Sequence, residues 1–385
     1  MVVETGLILA LLLFAYPFVF YPVLLGWLAR GRQKGVEKSL DAAEKSPCAT
    51  NTTVAFVICA LNEEKIIRQK IENALAMRYP EDKLRIVLVS DGSTDATAAI
   101  AREYAGPRLE LIERKQRRGK VANLNEVVMA RTEQVVAFSD ANVLYEPDAL
   151  SKLIARLEDP TIGCVSGKVI LTETTEDLQK SEASYYSLEW TLQDRASRFY
   201  SMVGADGAMY ALRRELFRPC PNDTVIEDLV IPVGVVRQGY RVVFEPGAVA
   251  WERGVTSLPE EFKRKTRIAA GAAQGVLRGN ALPLGAPARF WFVFVSHKLL
   301  RWFSPLVGLL ALGLALSAPR RLFPEMVLAG FAVLSLLALV RWATGWKAML
   351  LDAPFYFLFG QVAMLWGLIK GAAGKQSVMW SKLDR

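Results

Sequence analysis

At 385 residues, with 52% hydrophobic and 22% charged residues and a formal net charge of +8, the chain is long enough for one large or two ordinary domains. The charge does not mark a nucleic-acid binder, because no stretch combines a basic run with interleaved aromatics. Four cysteines, Cys48, Cys59, Cys164 and Cys220, lack CxxC or other ligand spacing and are joined by a single histidine, His297, which argues against a zinc site and for free thiols in a reducing cytoplasm.

Gly6 to Ala29 carries no charge and is long enough to cross a bilayer core of about 30 Å. It is too long for a signal-peptide core and lacks a basic start, so residues 1–30 read as an uncleaved transmembrane anchor. Arg30, Arg32, Lys34 and Lys38 follow it, against only Glu4 before it. The positive-inside rule then gives an integral protein of the cytoplasmic membrane whose middle faces the cytoplasm. Residues 31–52 are a linker; within it Gly35 to Asn51 is polar and of mixed charge, with a short surface helix as the alternative.

Residues 53–280 read as one α/β domain. Thr53 to Cys59 is an apolar, β-branched strand stopped by Ala60-Leu61-Asn62-Glu63-Glu64, with Asn62 placed to cap a helix that carries Ile66, Ile67, Ile71 and Leu75 on one face. Leu84 to Ser90 is a second strand, stopped by Asp91-Gly92-Ser93-Thr94-Asp95, with Ser93 or Thr94 capping a helix that runs through Tyr104. Leu109 to Ile112 is a third strand, Glu113 to Gly119 a basic loop and Lys120 to Ala130 a helix. Val135 to Phe138 is the next strand, and it stops at Ser139-Asp140-Ala141-Asn142. This alternation predicts a parallel sheet covered on both faces, with the polar strand ends converging on one crevice. Asp140 and Asn142 are oxygen donors one residue apart, the spacing of a Mg²⁺ or Mn²⁺ site that keeps coordination for water and a diphosphate; the plainer reading is a helix cap.

Further on, Gly163 to Leu171 reads as a strand and Glu176 to Tyr200 as a long helix carrying Tyr185, Leu188, Trp190 and Leu192. Its Glu182, Glu189 and Arg195 read as a solvated face, with an acceptor site as the alternative. Gly204 to Ala208 is a small-residue turn that lets backbone approach a ligand, and it leads to Met209 to Arg213. Thr224 to Asp228 opens a helix, where Asp228 is either a functional acid or a first-turn acid favoured by the helix dipole.

Leu258 to Arg267 is a basic amphipathic run suited to a membrane surface, and small residues follow from Ile268 to Gly275. Residues 281–302, with Arg289, His297, Lys298 and Arg301 among aromatics, read as an interfacial segment. Residues 303–370 hold three hydrophobic membrane helices: Phe303 to Ala318, Met326 to Val340 and Ala353 to Ile369. The first two make a hairpin across Pro319 to Glu325. The last either crosses or is re-entrant, the second choice keeping Lys370 and the basic tail of residues 371–385, with Lys375, Lys382 and Arg385, in the cytoplasm.

Taken in order, these motifs resemble the membrane-bound family-2 glycosyltransferases, the group that includes synthases of cellulose, chitin, hyaluronan and poly-N-acetylglucosamine. The likeness runs from Thr53 to about Gly275. It implies a nucleotide-diphosphosugar transferase domain of the GT-A type between N- and C-terminal transmembrane helices. By the same resemblance Asn62, Glu63 and Asp91 hold the nucleotide, Lys120 and Arg267 face its phosphates, and Asp140 and Asn142 hold Mg²⁺ or Mn²⁺. Asp206 and Gly207 lie on the acceptor side with Glu227 and Trp190, and Asp228 is the general base of an inverting displacement. The implied donor is a nucleotide sugar, UDP-linked. The implied acceptor is an exopolysaccharide or lipid-linked glycan at the membrane, with lipids as the other partner.

Two departures stand out. Asn142 replaces the second aspartate of the usual Asp-x-Asp, and Arg264-Lys265-Thr266-Arg267-Ile268 keeps the arginine of a Gln-x-x-Arg-Trp motif but not its Gln or Trp. The second departure predicts one or a few sugars added per acceptor. Together they leave a catalytically silent nucleotide-sugar-binding scaffold as the alternative function.

Overall fold

The computed structural model describes residues 2–30, 51–172, 176–254 and 257–376, with side chains of 176–185 excepted. The linker with Arg32, Lys34, Lys38 and Cys48, the side chains of Glu182 and Tyr185, and the tail with Lys382 and Arg385 lie outside the described residues.

A single eight-stranded sheet organises the middle of the chain, in the order β3-β2-β1-β4-β7-β6-β8-β5. Its strands are β1 Val54–Ala60, β2 Leu84–Asp91, β3 Leu109–Arg114, β4 Val135–Asp140, β5 Val143–Tyr145, β6 Ile162–Thr172, β7 Met209–Arg213 and β8 Arg241–Arg253. The first four in the order are parallel, as the sequence rhythm predicts. Beyond β4 the expectation of a parallel sheet is corrected. β7 runs antiparallel to both β4 and β6, β6 and β8 are parallel, and β5 closes the edge antiparallel to β8. The reason is connectivity: β5 and β7 are reached by turns and a long helix that do not make a right-handed strand-helix-strand crossover.

Helix α1, Val2–Arg30, precedes the sheet. Helices α2 Ile67–Leu75, α3 Thr97–Glu103 and α5 Ala149–Arg156 flank the sheet, while α4 Lys120–Met129, α6 Glu176–Phe199, α7 Glu227–Arg237 and α8 Leu258–Leu277 complete the set before the C-terminal helices. In α2 the buried stripe Ile67, Lys70, Ile71 and Ala74 follows the helical period, so one lysine lies on the core face. Neither expected cap forms. Asn62 Oδ1 accepts the Thr94 amide at 2.8 Å instead of capping α2, and Asp95 Oδ1, not Ser93 or Thr94, accepts the Thr97 amide that opens α3.

The core on one face of the sheet continues into the apolar base. Val57, Val89, Phe138 and Tyr210 of the strands share a cluster with Tyr21 and Leu25 of α1 and with Phe290, Phe294 and Trp302 of the helix Ala288–Ser317, α9. The segments expected as interfacial, Phe290 to Trp302, and spanning, Phe303 to Ala318, are thus one helix. Three of its basic residues turn toward the core. His297 Nε2, Lys298 Nζ and Arg301 surround Glu189 of α6 at 3.1, 2.7 and 2.8 Å. This corrects the solvated reading of Glu189, which is 6% exposed. Burial alone would raise the Glu189 carboxyl, but the facing cations override it and hold it well below the usual carboxylate range.

Helices α10 Leu322–Thr344 and α11 Met349–Ala372 complete the base. Among the described residues, four helices are long and apolar enough to cross a membrane: α1, α9, α10 and α11. Helix α8 packs along α11, where a Cβ on Gly367 or Gly371 would collide with the carbonyls of Thr266 and Ala270. Small residues there allow the two backbones to touch.

Candidate active site

Strand ends and one helix start build the crevice. At the end of β1, Asn62 takes a left-handed φ of 56°. Its N–H donates to Ser93 Oγ at 3.1 Å, and the Glu63 N–H donates to Thr97 Oγ1 at 2.7 Å, so the loops after β1 and β2 are stitched together. Asp91, at the end of β2, is 5% exposed. Its two oxygens accept the backbone amides of Arg118 and Gly119, each at 2.8 Å, which draws the basic loop over the strand ends. Gly92 and Gly119 serve this closure with positive φ of 72° and 91°, and a Cβ on Gly92 would lie 2.6 Å from the Arg117 amide nitrogen.

Lys120, the first residue of α4, enters next. Its Nζ lies 2.7 Å from Asp140 Oδ1 and 2.9 Å from Glu227 Oε1. Burial works to lower its pKa, and the two carboxylates outweigh that and hold it well above the ordinary lysine value. Glu227, expected on the acceptor side, therefore stands with Lys120 beside Asp140. Beneath them, Lys70 donates from inside the core to Ser139 Oγ at 2.7 Å and to the Val143 carbonyl, gripping both sides of the Asp140-Ala141-Asn142 turn. Burial pushes its pKa down to about 7.

Across the crevice is a group of carboxylates. The Gly204–Ala208 turn wraps the start of α7: the Ala205 N–H donates to the Asp228 carbonyl at 2.8 Å, and a Cβ on Gly207 would lie 3.0 Å from Asp228 Oδ2. A side chain there would press on that carboxylate. Asp228 is pushed up to about 6, first by burial and then by Glu227, with Arg267 and Lys120 pulling the other way. Asp206, whose N–H donates to Ser166 Oγ at 2.8 Å, is pushed up to about 7 by burial and then by Glu252, Asp228 and Asp140. Arg267 of α8 donates to the Val225 carbonyl at 3.2 Å, just before α7.

Glu252 was not among the residues read from sequence. It lies near the end of β8, and its Oε1 accepts from Asn142 Nδ2 at 3.1 Å. The signal for it is a polar stop after the run Ala248 to Trp251, the kind of stop that marked Asp91 and Asp140. Trp190 is partly buried, with Lys168 Nζ 4.5 Å from its ring centroid and Tyr186 at 6.0 Å. Trp251, on β8, is 41% exposed.

Among the described residues no three His, Cys, Asp or Glu side chains gather as a cage for a metal ion. The turn after β4 offers one carboxylate, Asp140, and one amide, Asn142. This pair of hard oxygen donors fits Mg²⁺ or Mn²⁺ better than a thiophilic metal and leaves most of the coordination to water and ligand.

Residues 55–220 match the model of glycosyl transferase family 2. A probable glycosyltransferase of Bacillus subtilis, YdaM, is 26% identical over 236 residues, 58% of this chain and 56% of the relative. The poly-β-1,6-N-acetyl-D-glucosamine synthase of Staphylococcus aureus is 24% identical over 231 residues, with the same shares. The matches thus span little more than half the length of these relatives. Among solved structures, the mannosyltransferase PcManGT of Pyrobaculum calidifontis, held with GDP-mannose and Mn²⁺, has a TM-score of 0.71 at 24% identity and covers 96% of this chain and 100% of its own. Residues 55–220 are thus similar to glycosyl transferase family 2, and the chain has the GT-A fold joined to apolar helices long enough to cross a membrane.

Proposed function

We propose that the protein is an inverting glycosyltransferase that moves a sugar from a nucleoside diphospho-sugar, UDP-linked, to an exopolysaccharide or lipid-linked glycan at the cytoplasmic face of the membrane. The observation that carries this reading is Asp228. It is a half-buried carboxylate with pKa raised to about 6, fixed by backbone at the head of α7 and set against the glycine of a small-residue turn. A base poised near operating pH suits removal of a proton from an acceptor hydroxyl.

In the displacement the acceptor oxygen bonds to the anomeric carbon, its proton passes to Asp228, and the bond from that carbon to the phosphate oxygen breaks. The nucleoside diphosphate leaves with the electron pair, and attack opposite the leaving group inverts the centre. Lys120 and Arg267 are the cations placed to meet the diphosphate, with Asp91 holding the loop that presents Lys120. Asp140 and Asn142 would hold Mg²⁺ or Mn²⁺, which would supply further neutralisation of the departing diphosphate. Asp206, with its neighbour Asp228, faces the acceptor. Arg30 at the end of α1 supports a cytoplasmic catalytic domain.

Asp228→Asn tests the assignment. Transfer should fall by about 10² to 10⁴-fold while nucleotide-sugar binding, measured by calorimetry, stays within a few-fold of wild type. Wild-type turnover in this variant would remove Asp228 as the base. Chelation should stop turnover and Mn²⁺ or Mg²⁺ restore it; full activity in excess chelator would leave Lys120 and Arg267 alone with the leaving group.

A further inference from the structure

Asn142 stands where the related pattern has an aspartate, and the structure shows what holds it. Its Nδ2 donates to Glu252 Oε1 at 3.1 Å. Glu252 reaches this point because β5 pairs with β8 and brings Val143, the residue after Asn142, opposite Glu252. An ionised carboxylate accepts hydrogen bonds and cannot donate them, so only the amino end of the Asn142 amide can face it. The amide oxygen is then the end left for a cation. An aspartate at 142 would instead bring two carboxylates to hydrogen-bonding distance, where like charges repel. The negative charge absent from position 142 is present next door, on a strand far away in sequence.

We infer that Glu252 is a positioning residue of the divalent-cation site: it fixes the Asn142 amide with its oxygen available to the metal and restores the charge that Asn142 lacks. It acts through Asn142 and rests on the metal reading above. Asn142 and Glu252 form a matched amide and carboxylate pair, and such a pair can be exchanged. In Glu252→Gln the charge is gone, and a glutamine can meet either end of the Asn142 amide, so its orientation is no longer fixed. In Asn142→Asp with Glu252→Gln the same bond re-forms with donor and acceptor reversed, and the net charge of the pair returns.

The test is Mn²⁺ binding to the full chain in detergent, read from loss of the free-Mn²⁺ electron paramagnetic resonance signal, alongside sugar transfer. Glu252→Gln should weaken Mn²⁺ about tenfold or more, the size of effect known for groups that orient metal ligands. The exchanged double variant should recover to within about threefold of wild type, and transfer should follow the Mn²⁺ affinities. Unchanged affinity in Glu252→Gln, or no recovery in the double variant, would overturn the inference; the latter outcome would make Glu252 a strand-end residue only. A wild-type chain that binds no Mn²⁺ would end the metal reading, and this inference with it, and would be distinguishable from a Glu252 that does not matter.

Discussion

The two sides of the crevice handle charge differently. On the side proposed for the donor each acid is matched: Asp91 by two backbone amides, and Asp140 and Glu227 by the ammonium of Lys120. On the side proposed for the acceptor burial raises Asp206 and Asp228, and nearby carboxylates add to it, Glu252 and Asp228 at Asp206 and Glu227 at Asp228. On the first side one ammonium and two backbone amides fix the acids in place. On the second the acids bind protons more readily than they would in water, which suits the proton-accepting step proposed for Asp228. Stability and function pull in opposite directions across a few ångströms.

The largest effect should come from breaking the balance on the donor side. Lys120→Met removes the shared cation and leaves two largely buried carboxylates facing each other. Removing one partner of a buried ion pair costs about 3–5 kcal/mol. Transfer should fall by about 10²–10³-fold with loss of a group that meets the leaving diphosphate. Calorimetric donor affinity and Tm should therefore drop together, unlike in Asp228→Asn. A Lys120→Met chain with wild-type Tm would show that the matching is not structural.

The pH dependence sharpens the acceptor side. Asp228 must be ionised to act as base, so the rate should fall about tenfold per pH unit below about 6 and level off above it. Stability should move the other way. A folded-state pKa raised above the unfolded value gives a contribution that is full at low pH and is lost as pH rises through about 6. The Tm of Asp228→Asn relative to wild type should therefore increase across that window. A flat difference from pH 5 to 8 would mean that Asp228 is not held near pH 6.

The strand and helix ends on the side proposed for the donor were legible in sequence because each of these parts is local. An apolar run followed by a polar stop, then a helix, fits within a few tens of residues, and Asn62, Asp91, Lys120 and Asp140 all come from such units. Glu252 was missed because Pro246 and Gly247 interrupt β8 and disguise one strand as two fragments, while its partner strand β5 has only three residues. Lys70 was not singled out from sequence; it lies three residues after Ile67 on the buried stripe of α2, where Ser139 and the Val143 carbonyl satisfy it. Glu189 was misread because its partners His297, Lys298 and Arg301 lie more than a hundred residues away on a helix whose charges suggested an interface.

The smallest expected effect concerns what the acceptor rests on. Ile268 has no aromatic face to stack on a sugar, so any platform must come from another element. Trp190 has a ring already engaged by Lys168 at 4.5 Å and flanked by Tyr186, whereas Trp251 is 41% exposed. An aromatic face contact is worth about 1 kcal/mol, roughly fivefold in affinity. Trp251→Ala should raise KM for the acceptor by about fivefold with kcat little changed, and Trp190→Ala should instead lower Tm through lost packing. Chromatography of products made with excess donor separates the two roles further. A single weak platform holds an acceptor for one or a few additions, so short products are expected from wild type and shorter ones from Trp251→Ala. A high-molecular-weight ladder that survives Trp251→Ala and disappears in Trp190→Ala would place the platform on the long helix instead.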